Sequence, residues 1–140
     1  MRRLLLTLTL TIAVSTLGFG QAKPKIVKGP APVTSAANGA EMFTQYCAVC
    51  HGPEGKGTGP AAPALKVRPA DLSQLAKNNG GKYPELKVVN FVMGDEVVAA
   101  HGSRDMPIWG DVFRSMHNDD ATLKLRAHNL STYVQTLQEK

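Results

Sequence analysis

The sequence predicts an all-α domain, a small bundle of about three to five helices. Its length of 140 residues is enough for one small domain with flanking segments. Apolar residues recur at spacings of three and four in several stretches, which is the periodicity of a helix with one buried face. No stretch shows the strict alternation of apolar and polar residues that is typical of a strand.

Two helices are predicted at the ends of this domain. The first covers residues 37–49, with apolar positions at Ala40, Phe43 and Cys47. The last begins at residues 118–120, where two Asp side chains suit the positive end of a helix. Its apolar stripe consists of Leu123, Ala127, Leu130, Tyr133, Val134 and Leu137.

A loop and a short helix are predicted directly after the first helix. Residues 52–69 contain four glycines and four prolines, a composition that indicates a loop. A short helix is expected from residue 71 to about residue 77, with Asp71 as its cap or first-turn acid.

A better-defined helix is predicted over residues 84–93. Pro84 suits the first turn of a helix, and Gly94 suits the position just beyond a helix end. A further helical turn is expected over residues 95–101, followed by a loop over residues 102–110.

The N-terminus has the pattern of a secretory signal peptide. Arg2 and Arg3 form a basic start, and residues 4–17 are largely apolar. Small residues that suit peptidase cleavage follow at Gly18, Gly20 and Ala22. A signal over residues 1–22 predicts export, and therefore a periplasmic protein. The alternative is an uncleaved membrane anchor, because the apolar run is close to the length that spans a bilayer.

Residues 23–35 are rich in Pro, Lys and Ala, and they are predicted to form a flexible linker. The folded domain is then expected over residues 36–140. The chain carries a formal charge of +5, but residues 41–140 hold 11 basic and 11 acidic side chains. Because this domain is close to neutral, neither binding to nucleic acid nor strong electrostatic steering of a partner is expected.

The two cysteines of the chain lie in one motif, Cys47-Ala48-Val49-Cys50, and His51 follows directly. C-x-x-C-H is the pattern of c-type haem attachment. Two thiols at this spacing can add to the two vinyl groups of one haem, and the next residue presents an imidazole to the iron. The motif predicts one haem c, attached through Cys47 and Cys50, with His51 as an iron ligand.

Three other chemistries use cysteine pairs at this spacing. A structural zinc site needs four ligands, usually with a second close pair of Cys or His, whereas the other histidines are scattered singly at His101, His117 and His128. A thioredoxin-like motif would lie beside a βαβ pattern, which is not visible. A disulfide would leave His51 without a role. Haem attachment agrees with export, because it consumes both thiols and adds an apolar group to a small core.

The second axial ligand is predicted to be Met106. The candidates were Met42, Met93, Met106, Met116 and the three single histidines. Met106 follows a polar stretch, so its apolar side chain needs a burial site that no predicted helix supplies. Pro107 fixes the adjacent backbone, which helps to hold a thioether at one distance from the iron. The alternative is a methionine that fills a gap in the core.

These residues resemble the single-haem class I cytochromes c, over about residues 36–140. That family has C-x-x-C-H near its start and a ligand methionine in a late loop, often followed by proline, and both occur here in order. Gly39 and Phe43, with Leu130 and Tyr133, resemble the family's packing of terminal helices. The resemblance implies a cytochrome c-like bundle wrapped around one covalently bound haem.

The resemblance also implies further haem contacts. Pro63-Ala64-Leu65 resembles the loop whose proline carbonyl accepts the hydrogen bond of the haem histidine and whose leucine packs on the ring, with Pro60 as an alternative acceptor. Candidates to bond the haem propionates are Arg68, Tyr83 and Trp109. Arg68 is alternatively a solvated charge, and Trp109 a packing residue.

The predicted function is one-electron transfer by a periplasmic carrier with His51 and Met106 on the iron, and not catalysis. Its partners are then transiently bound redox proteins. One alternative is a haem c subunit of a membrane-associated dehydrogenase or oxidase complex. If Met106 does not bind the iron, the alternative is a gas-binding or sensor domain.

Overall fold

The computed structural model describes residues 31–95, 106–116 and 119–139. Within these ranges regular structure is helical and no strand occurs, so the predicted all-α class is confirmed. The N-terminal helical segment (39–51) joins α1 (Gly39–Met42), a π-helical stretch (Phe43–Cys47) and α2 (Ala48–His51). The later helices are α3 (Glu85–Met93), α4 (Trp109–Ser115) and α5 (Asp120–Thr136). Single 3-10 turns cover Ala62–Ala64, Leu72–Gln74 and Lys77–Asn79.

The N-terminal helical segment crosses α5 at Gly39. A Cβ atom added at Gly39 would overlap the carbonyl oxygen of Asn129 and lie 3.1 Å from Cβ of Tyr133. One turn further along, the rings of Phe43 and Tyr133 are 5.2 Å apart between centroids. The predicted packing of the terminal helices is confirmed, and it depends on a residue without a side chain at the crossing.

The core lies between these helices and is closed by aromatic rings. Tyr46 stacks on Trp109 with centroids 5.1 Å apart, and Phe113 lies 5.8 Å from Tyr46. The other buried apolar side chains include Met42, Phe43, Val92, Leu123, Ala127, Leu130 and Val134. The apolar stripe predicted for the last helix therefore faces this core.

Two helix boundaries follow the predicted signals. Gly94 ends α3 in the left-handed conformation, with φ of 87°, and its amide donates to the Asn90 carbonyl at 3.0 Å. Asp119 caps α5 by accepting a hydrogen bond from the Thr122 amide at 2.7 Å. The helix α3 begins at Glu85, one residue later than predicted, and Pro84 is its N-cap.

The short helix predicted after Asp71 is replaced by two 3-10 turns. Asp71 is the cap, as expected, and its carboxylate accepts from the amide of Ser73 at 2.9 Å and from its hydroxyl at 2.6 Å. The backbone turns again at Gly80, in the left-handed conformation.

The prediction of a loop over residues 102–110 is wrong for its last two residues, because α4 begins at Trp109. Gly110 weakens the helix signal in the sequence, since glycine disfavours a helix interior. In the structure Gly110 lets α4 approach α3 so closely that an added Cβ would overlap the Met93 carbonyl oxygen. Of the helical turn predicted over residues 95–101, only Asp95 lies within the described residues.

The linker is predicted to end at residue 35, but the folded domain begins earlier in the chain. Thr34 is buried, and its hydroxyl and carbonyl both accept hydrogen bonds from Arg126, at 3.1 and 2.8 Å. Tyr46 donates to the Pro32 carbonyl at 2.6 Å. The predicted signal and residues 23–30 of the linker lie outside the described residues. Within the described part of the chain, no helix is long and apolar enough to cross a membrane.

Candidate haem site

The C-x-x-C-H motif ends the N-terminal helical segment, and the following loop satisfies its exposed carbonyls. The amides of Gly57, Gly59 and Ala61 donate to the carbonyls of His51, Cys50 and Val49, at 2.8, 3.0 and 2.8 Å respectively. Helix ends leave such carbonyls without an internal partner. This capping loop (residues 52–61) therefore runs back along the motif and holds its last turn in a defined conformation.

Cys47 and Cys50 are not joined in a disulfide. Burial raises the pKa of Cys47 to about 12, with a smaller contribution from the neighbouring Cys50. Burial also raises the pKa of the half-buried Cys50 thiol. Their proximity on one helical turn agrees with joint attachment to one group.

His51 is buried, and its Nδ1 lies 3.0 Å from the carbonyl oxygen of Ala70. A carbonyl can only accept, so Nδ1 carries the proton and the lone pair of Nε2 is left for a metal. Burial lowers the pKa of His51, and the bond to Ala70 opposes this shift. Two unpaired thiols beside a neutral, oriented imidazole form a donor set that fits haem c.

Ala70, rather than Pro63, accepts the hydrogen bond from His51, so the predicted acceptor is corrected. The Leu72 amide donates to the Gly55 carbonyl at 2.7 Å, which draws the chain around residue 70 against the loop after His51. Gly57 packs so closely on the carbonyl of Pro69 that a Cβ would overlap it. The cap residue Asp71 signals this turn in the sequence. Nothing in the sequence indicates that the turn lies close to His51.

Pro63 and the neighbouring predicted residue Leu65 lie at the 3-10 turn that follows the capping loop. Pro63 is exposed within Ala62–Ala64, and the half-buried Leu65 donates its amide to the Ala62 carbonyl at 3.2 Å. The predicted contact of Leu65 with a haem ring stays a prediction.

Met106 is half-buried and packs against the core three residues before α4. This position agrees with the requirement for a burial site outside the predicted helices. Its role as an iron ligand stays a prediction.

The three residues considered for the propionates have different surroundings. The Tyr83 hydroxyl donates to the Ser131 carbonyl at 2.9 Å and lies 3.1 Å from the Ser131 hydroxyl, so it joins the chain before α3 to α5. Burial raises the pKa of Tyr83. Trp109 is buried on Tyr46, which agrees with the packing alternative, and Arg68 is exposed, which agrees with a solvated charge.

Among the described residues, no group of three or more His, Cys, Asp or Glu could hold a metal ion.

Terminal helices that cross at a glycine, and a C-x-x-C-H turn whose histidine is oriented by a backbone carbonyl, define a single-haem cytochrome c domain. Such domains carry electrons and are not enzymes themselves. The family model described as "Cytochrome C oxidase, cbb3-type, subunit III" matches residues 34–122, and the chain belongs to this family. Neither the comparison with curated proteins nor that with solved structures found a match.

Proposed function

We propose that this protein is a periplasmic electron carrier with one haem c, attached covalently through Cys47 and Cys50. The observation that carries the proposal is the bond between His51 Nδ1 and the Ala70 carbonyl. It orients the imidazole and leaves Nε2 for the iron, on the same helical turn as Cys47 and Cys50. Bound there, the haem supplies a one-electron ferric–ferrous couple.

The residues of the chain restrain this site. The Ala70 carbonyl makes the His51 imidazole a stronger electron donor than a free imidazole. The capping loop restrains the backbone of the motif, and Tyr46, directly before the motif, stacks on Trp109 in the core. A ligand that does not move on reduction keeps the rearrangement accompanying electron transfer small.

Met106 is proposed as the second axial ligand. Its position just before α4, where Trp109 and Phe113 anchor the helix in the core, restrains the thioether. Methionine ligation raises the reduction potential of a haem relative to ligation by two histidines. A high potential suits a carrier that delivers electrons towards a terminal oxidase.

Met106→Ala is expected to abolish the iron–sulfur charge-transfer band of the ferric protein and to leave haem covalently bound. The ferrous variant should then bind carbon monoxide readily, because one axial position is open, whereas the wild type should respond little. Met116→Ala is the matched control, since Met116 is also a half-buried methionine packed on the core. A band that survives in Met106→Ala would show that another residue binds the iron. Carbon monoxide binding by the wild type would favour the gas-binding alternative.

A second candidate is a haem subunit of an oxidase complex, favoured by the description of the matching family. The two proposals differ in what happens to the apolar N-terminus. For a soluble carrier we expect the mature chain to begin near residues 21–23 and to be recovered in the periplasmic fraction. Mass spectrometry of the purified chain and fractionation of cells check this. A mature chain that retains residues 4–17 and copurifies with oxidase subunits from membranes would contradict the soluble carrier.

A further inference from the structure

We infer that Gln138 is a positioning residue for His51, because it fixes the turn that carries the Ala70 carbonyl. This inference rests on the proposed role of His51 as the haem ligand. Gln138 lies just beyond α5, far from the C-x-x-C-H motif in sequence. Its side chain links the C-terminal end of the bundle to the segment that orients the imidazole.

The Gln138 amide uses its donor and acceptor groups on backbone atoms. Its Nε2 donates to the carbonyls of Leu72 and Val134, at 2.7 and 2.9 Å, and its Oε1 accepts from the Ala76 amide at 2.8 Å. The side chain is half-buried, so water competes poorly for these groups. Two of these hydrogen bonds hold the two ends of residues 72–76, and the third ties the side chain to the last turn of α5.

The fastened segment continues directly into the contact with His51. Leu72 is held from the other side as well, since its amide donates to the Gly55 carbonyl at 2.7 Å. Ala70 is two residues earlier and holds the imidazole at 3.0 Å. Leu72 is therefore fixed between Gln138 and the loop that follows the motif, which leaves the Ala70 carbonyl little freedom to move.

A neighbouring contact strengthens the same attachment. The Glu139 amide donates to the Ser73 carbonyl at 3.0 Å, and the Glu139 carboxylate accepts from the side-chain amide of Gln74 and pairs with Lys56 at 3.2 Å. The side chains in this ion pair are substantially exposed, so it contributes little. The half-buried Gln138 amide is the stronger attachment.

The strength of the hydrogen bond on Nδ1 sets how much electron density the imidazole gives to the iron. A strong bond favours the ferric state, which benefits more from a basic ligand. If Gln138 no longer holds Leu72, the Ala70 carbonyl moves more freely and its bond to His51 weakens. The reduction potential should therefore rise, and the ring proton on Nδ1 should exchange with water faster.

The test is Gln138→Met, which keeps the side-chain length and removes the three hydrogen bonds. In the purified ferrous protein we expect exchange of the His51 Nδ1 proton, followed by NMR, to accelerate about tenfold, and the potential to shift upwards. Gln135→Met is the matched control, because Gln135 is exposed at the same end of α5. It should leave both quantities unchanged.

A purely structural role would lower the stability of Gln138→Met without changing the potential or the exchange of the His51 proton, and that result would overturn the inference. Gln138→Glu serves if the methionine variant does not fold, since it keeps the acceptor for Ala76 and loses the donor to Leu72. Faster exchange in Gln138→Glu supports the inference, and unchanged exchange overturns it. Failure of the proposed function is seen separately, as a wild-type protein without covalent haem.

Discussion

Gly39→Ala is expected to lower the free energy of unfolding by about 2–3 kcal/mol, because the new Cβ overlaps the Asn129 carbonyl at the helix crossing. In a helix without this contact, the same substitution would stabilise by about 0.5–1 kcal/mol, since alanine is the better helix former. The obstacle is backbone, which cannot rotate away as a side chain can. The N-terminal helical segment and α5 must therefore move apart, and the adjacent Phe43–Tyr133 contact loosens.

Chemical denaturation of the purified protein, followed by far-ultraviolet circular dichroism, measures this effect. Gly80→Ala is the control, because Gly80 has φ of 66° and no atom lies within 4 Å of an added Cβ. Its cost is the left-handed backbone alone, about 1 kcal/mol. Gly39→Val should be less stable than Gly39→Ala, since it adds volume to the same contact. An alanine variant as stable as the wild type would contradict the close crossing.

Arg126→Met is expected to lower the free energy of unfolding by about 2–4 kcal/mol. The arginine side chain is buried, donates to the hydroxyl and carbonyl of Thr34 and lies 3.7 Å from Sδ of Met42. Its guanidinium carbon is 5.7 Å from the centre of the Phe113 ring. Methionine replaces most of the apolar stem but none of the donors, so Thr34 loses both hydrogen bonds from Arg126 on α5.

Two measurements separate this attachment from a general loss of packing. Amide hydrogen exchange of residues 33–35 should accelerate in Arg126→Met far more than exchange within the aromatic core. A double-mutant cycle with Thr34→Val should give a coupling free energy of about 1 kcal/mol, because both substitutions remove the same hydrogen bond. Lys124→Met, at an exposed position of α5, is the control and should change little. Additive effects of Arg126→Met and Thr34→Val would contradict the shared bond.

Most of the helices could be predicted from the sequence, because their signals are local. The spacing of apolar residues, the positions of Pro84 and Gly94, and the acid Asp119 mark ends and buried faces within a few residues of chain. The helix α4 was missed, since its second residue, Gly110, is unfavourable in an isolated helix. That glycine is explained only by the approach of α4 to the Met93 carbonyl.

The start of the folded domain is a second feature that could not be predicted from local sequence signals. Pro, Lys and Ala in residues 23–35 predict a linker, yet Thr34 is buried against Arg126, a residue 92 positions later. Similarly, the hydroxyl of Tyr83 is bound to Ser131 on α5. Both partners are distant in sequence, and polar side chains of this kind have no local pattern that distinguishes a buried contact from a solvated one.

The sequence by itself determined the chemistry of the motif, since two thiols and an imidazole within five consecutive residues need only one helical turn to come together. The tertiary structure decided how His51 is oriented. Its hydrogen-bond acceptor is the carbonyl of Ala70, and every residue has such a carbonyl, so no side chain identifies it in advance. Only the folding of residues 70–76 between the loop after His51 and Gln138 selects this one.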